Sequence, residues 1–167
     1  MSLFQRIFGE TKQRTALQPL YAAVVAKGRE PAWYRDGQVP DTIDGRFDMI
    51  AAILSLVLLR LEQEGETARN QSVLLTEIFI DDMDATLRQI GIGDYVVGKH
   101  VGRMVSALGG RLAAFREPPF DGAVRRNIFH ESPPSEEAVP VVARRLEALA
   151  EALGAARIER LLAGELP

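Results

Sequence analysis

Between Met49 and Leu59 every residue is apolar except Ser55. Strands bury roughly four to eight residues, whereas buried helices run to ten or more, so the length favours a helix. A membrane span needs about 20 apolar residues, so this run is too short for one. The spacing predicts a helix from about Thr42 or Asp44 to Glu62. Phe47, Ile50, Leu54, Val57 and Leu61 mark its centre, and Leu56 and Leu59 lie elsewhere on the wheel. A helix apolar on most sides must be surrounded, so the others should pack around it.

Their periodicity supports this. Leu17, Leu20, Tyr21, Val24 and Val25 predict a first helix over about Gln13–Ala26. Leu75, Phe79, Met83, Leu87 and Ile90 predict a third over about Ser72–Ile90, stopped by Gly91-Ile92-Gly93. Asp94 reads as the N-cap of a fourth, with Val97, Val101, Met104, Val105, Leu108 and Leu112 inward. A short helix around Asp121–Phe129 and one long or two short helices over Ser135–Leu162 complete the chain. No apolar/polar alternation persists between turn residues, and no Asn-Gly or Asp-Gly hairpin turn occurs. The expected fold is all-α: a compact single-domain multi-helix bundle over residues 13–167. Residues 1–12 precede it as an amphipathic segment with Phe4, Ile7 and Phe8 on one side.

Chemistry is sparse. The chain has no cysteine, which excludes thiolate metal sites, disulfides and a cysteine nucleophile. Its two histidines, His100 and His130, are too few for a histidine-rich metal site. Gly98-Lys99 lacks the following Ser or Thr of a phosphate loop, since His100 stands there. Gly98 and Gly102 inside a helix suggest close approach of another helix or chain. Asp81, Asp82 and Asp84 invite comparison with the magnesium-binding motifs of helical prenyl-diphosphate enzymes, the main alternative reading. No second acidic motif faces them, and the wheel puts Asp81 and Asp84 outside with Glu77. Asp82 falls at the core edge, where an acid needs a partner; Arg46 is the leading candidate. No catalytic residue, metal site or cofactor is expected.

Charge is polarised. Asp41–Asp94 holds eleven acids against four arginines, and Gly98–His130 six Lys/Arg against two acids. Lys99, Arg103, Arg111, Arg125 and Arg126 form a candidate basic surface. The net charge of −3 gives no bulk signal for DNA. The N-terminus lacks the pattern of a secretory signal, so a cytoplasmic protein without a membrane span is expected.

Several ordered segments carry a family resemblance: Trp33-Tyr34, Val39-Pro40-Asp41-Thr42 and Gly45-Arg46-Phe47-Asp48-Met49; then Leu75-Thr76-Glu77-Ile78-Phe79-Ile80-Asp81-Asp82-Met83-Asp84-Ala85-Thr86-Leu87-Arg88; then Gly91-Ile92-Gly93-Asp94 and Val97-Gly98-Lys99; and finally Gly110-Arg111, Ala114-Phe115 and Arg126-Asn127-Ile128-Phe129. Over roughly residues 15–150 the chain resembles the ubiquinol–cytochrome c chaperone family, with Phe115 and Phe129 where tyrosine is expected. The resemblance implies a non-catalytic assembly factor that binds newly made cytochrome b for the cytochrome bc1 complex, near the ribosome or the inner-membrane surface. An apolar groove between helices would receive the client. The basic residues, with Phe4 and Phe8, would meet the ribosome or lipid. A third reading is a helical module with no nascent-chain role.

Overall fold

The computed structural model describes residues 11–91, 93–130 and 133–167, apart from the side chains of Asp94, Tyr95, Val97 and His100. The expectations for Phe4, Ile7, Phe8 and Val97 lie outside what is described. Residues 11–16 are helical and lead into α1 (Gln18–Gly28). Then come α2 (Pro31–Arg35), α3 (Ile43–Glu62), a 3-10 turn (Gly65–Ala68) and α4 (Arg69–Gln89). The chain continues through α5 (Asp94–Ala114), α6 (Asp121–Asn127), α7 (Ala138–Ala155) and α8 (Ile158–Leu162). There is no strand among the described residues.

Helix α3 is the axis. It packs against α1, α4, α5 and α7, and Met49 to Leu58 are all buried. Around it Leu20 and Val24 of α1, Leu75 and Phe79 of α4, and Val142 and Leu146 of α7 close a single core. Thr42 caps α3, its Oγ1 accepting from the Gly45 backbone N–H at 3.0 Å. A Cβ at Gly45 would come within 2.0 Å of the Pro40 carbonyl oxygen, so only glycine allows the chain to enter α3 this closely. At the far end buried Arg60 donates to the carbonyls of Leu153 at 3.0 Å and Ala156 at 3.2 Å. It thereby places a cation on carbonyls at the C-terminus of α7 and ties the two helices. The corner between α1 and α2 is pinned by side chains: Trp33 Nε1 donates to Lys27 O and Tyr34 OH to Gly28 O, each at 2.7 Å.

Local chemistry overturned four expectations. The first helix is not continuous over Gln13–Ala26: it turns at Leu17, and Pro19 then sits in the first turn of α1, where its missing N–H is harmless. Ile90 is not inward but 48% exposed, because α4 ends at Gln89 and the chain turns through Gly91 at φ +84°. Asp94 is not the N-cap of α5; extended Gly93 holds that position, and Asp94 is the first helical residue. On α5 Leu108 is buried and Val101, Met104 and Leu112 are half-buried, but Val105 is 42% exposed.

Candidate client-binding surface

The acidic run on α4 breaks up into separate contacts. Asp81 pairs with Arg14, and Asp84 pairs with Arg88 at 2.7 Å. Asp82 accepts a hydrogen bond from Tyr21 OH at 2.7 Å. That bond and burial push the tyrosine hydroxyl pKa well above its ordinary value, burial being the larger cause. Each aspartate thus answers to a different element, and the three do not converge as metal ligands would. No group of three or more metal-ligating side chains occurs among the described residues. The expected Asp82–Arg46 pair is absent. Arg46 instead bonds Asp41 at the surface, at 2.6 Å, and Tyr21 of α1 supplies the donor Asp82 needs.

The buried ion pair lies elsewhere. Arg111 of α5 donates through Nη2 to Asp48 Oδ1 on α3 and, at 3.3 Å, to the carbonyl of Asn127, the last residue of α6. The second oxygen of Asp48 meets His130 Nε2 at 2.8 Å. Burial raises the Asp48 carboxyl pKa, outweighing the pull of Arg111 and His130 in the other direction. Burial likewise lowers the Arg111 guanidinium. Arg111 Nε has no acceptor and is sealed from solvent. Arg111 therefore leaves the candidate basic surface: it is 7% exposed and joins helices. Lys99, Arg103, Arg125 and Arg126 are exposed and form no ion pair among the described residues.

The other motif residues divide by role. Phe47, Phe79, Met83 and Leu87 are core, and Gly91 supplies the left-handed turn after α4. Glu77 is exposed and has no partner among the described residues. Gly98 and Gly102 do not face a neighbouring helix as expected. A Cβ at either would meet nothing within 4 Å, so that side of α5 is open. Phe115, in a tyrosine position of the resemblance, is buried edge-to-face on Phe120 with centroids 5.3 Å apart.

Two grooves flank α5. One, of about 470 Å³, lies over the Asp48–Arg111 pair. Ile43 and Ile90 are exposed at its sides, Leu87 and Met104 lie within, Arg103 adds charge and His130 a polar ring. The other, of about 510 Å³, opens between α3, the 3-10 turn, α4 and α5. Leu58, Leu61, Val73 and Leu112 line it, with Glu62, Glu66 and Glu77 among its polar residues. Neither groove was legible as a set of residues, because each is assembled from distant helices. The one available signal was the excess of apolar residues on α3 and α4 beyond what a core stripe needs.

The described residues thus make a helical domain with two apolar grooves beside α5. The model of the ubiquinol-cytochrome C chaperone family matches residues 35–166, and the chain belongs to that family. Among solved structures it resembles the Cbp3 homolog from Brucella abortus, with a TM-score of 0.78 and 25% identity, over 99% of this chain and 95% of that one. No curated protein matches. No helix among the described residues is long and apolar enough to cross a membrane.

Proposed function

We propose that this chaperone holds newly synthesised cytochrome b until it is assembled into the cytochrome bc1 complex, working in the cytoplasm close to the ribosome and the inner-membrane surface. The observation that carries the reading is the family match over residues 35–166, which includes every residue lining the two grooves. The apolar grooves suit an unassembled hydrophobic segment, which must be kept from water and from other chains. Exposed Lys99, Arg103, Arg125 and Arg126 suit ribosomal RNA or anionic headgroups. The diphosphate-enzyme reading has no such support, since its three aspartates are spent on Arg14, Tyr21 and Arg88.

The test is pulse labelling in cells that make the bc1 complex, with the tagged chain recovered under mild conditions. Labelled cytochrome b should accompany it early and leave during a chase, and deletion of the chaperone should lower assembled bc1 complex. Recovery of no cytochrome b, with bc1 levels unchanged on deletion, overturns the reading.

A further inference from the structure

The groove between α3, α4 and α5 combines two properties. Its floor is aliphatic, from Leu58, Leu61 and Leu112, and Val73 stands beside them 50% exposed. Its charged lining leaves one carboxylate over: Glu62 pairs with Arg116 at 2.9 Å and Glu66 with Arg69 at 3.3 Å, while Glu77 has no partner among the described residues.

We propose that this groove seats the end of an apolar client helix where it carries Lys or Arg, which is the chemistry of a membrane-spanning helix at its cytoplasmic flank. The inference rests on the client being a membrane protein, as proposed above, and adds which part is held and where. Spanning helices have aliphatic bodies, and their cytoplasmic ends are enriched in Lys and Arg. The floor matches the body, and the carboxylate of Glu77, without a partner among the described residues, matches the charge. Length separates an end from a whole span. The α4 wall runs from Arg69 to Glu77, about 12 Å at 1.5 Å per residue, enough for about two turns. A full span is about 30 Å, so most of it must lie outside the groove.

The experiment titrates the full chain with three labelled helical peptides that share one apolar body and end in two lysines, two glutamates or two glutamines. The lysine peptide should bind roughly tenfold tighter than the glutamate peptide, and high salt should shrink the difference. Glu77→Lys should weaken the lysine peptide several-fold and strengthen the glutamate peptide. Glu77 is exposed and has no partner among the described residues, so this variant should keep its dichroism and melting temperature. Val73→Asp should weaken all three peptides, whereas Ile90→Asp in the other groove should change none. Equal binding of the lysine and glutamate peptides, or an unaltered preference in Glu77→Lys, overturns the proposal. If parent protein nonetheless recovers labelled cytochrome b, the client assignment stands and only the placement falls. If parent recovers none, the client assignment itself falls.

Discussion

Arg111 and Asp48 form a buried ion pair that bolts α5 onto the central helix α3, with His130 on the second carboxylate oxygen. Both side chains are about nine-tenths buried, and burial shifts both toward their neutral forms. The pair is therefore expensive to bury, and its removal should be asymmetric. Arg111→Met alone, leaving the buried Asp48 with only His130, should destabilise by roughly 3–5 kcal/mol. Asp48→Leu combined with Arg111→Met should lose much less than the sum of the single variants. A double-mutant cycle by urea unfolding measures the coupling; additive losses would show that the pair does not act as a unit.

The Tyr21–Asp82 bond joins α1 to α4. Asp82→Ala should cost about 1 kcal/mol, the net worth of such a bond. Tyr21→Phe in the same background should add little. Asp84→Ala removes only a helix-surface pair with Arg88 and should cost under about 0.5 kcal/mol. Melting temperatures rank the variants; equal losses at positions 82 and 84 would count against the assignment.

Alkali should unfold the protein through its tyrosines. Tyr34 is half-buried and donates to the Gly28 carbonyl; burial pushes its pKa up to about 12. A raised folded pKa contributes stability that is fully present below the ordinary tyrosine value of about 10 and is lost as pH rises through the folded one. Tyr21 acts in the same direction. Stability should fall between about pH 10 and pH 12, less steeply in Tyr34→Phe. Unfolding titrations followed by phenolate absorbance check this.

Charge reversal at Lys99 and Arg103 should lower co-sedimentation with ribosomes or anionic liposomes while the fold stays intact, because both are exposed and form no ion pair among the described residues. Reversing Arg111 should instead unfold the domain. If the Lys99/Arg103 variant pellets like the parent in both assays across a salt series, this basic surface does not make the contact.

Glycine replacements should separate by sign. Gly45→Ala drives a methyl into the Pro40 carbonyl and should destabilise strongly. Gly98→Ala and Gly102→Ala meet open space inside a helix and should stabilise by about 0.5–1 kcal/mol each. Melting temperatures of the three variants check the signs.

The central helix was legible because the Met49–Leu59 run has no exposed solution. The charged seam was not. Arg111 stands one position from Leu112 and three from Leu108, on the inner side of α5, which was the available warning. A count of charges along the chain assigns it to the surface, since the count cannot register that Asp48 and Asn127 wait opposite. Asp82 shows the same limit: its wheel position revealed the need for a partner, but Tyr21 is sixty-one residues away and uncharged. Family membership was legible from ordered runs of mixed residues. The grooves were not, because they are spaces between helices.

Helix α5 walls both grooves and carries four glycines with empty space where side chains would be. Each glycine inside a helix costs about 1 kcal/mol relative to alanine, so this long helix is poorly self-sustaining and leans on Leu108, Phe115 and the Arg111 clamp. The two grooves thus share one wall. Unwinding α5 alone would open both at once and leave the rest of the bundle closed.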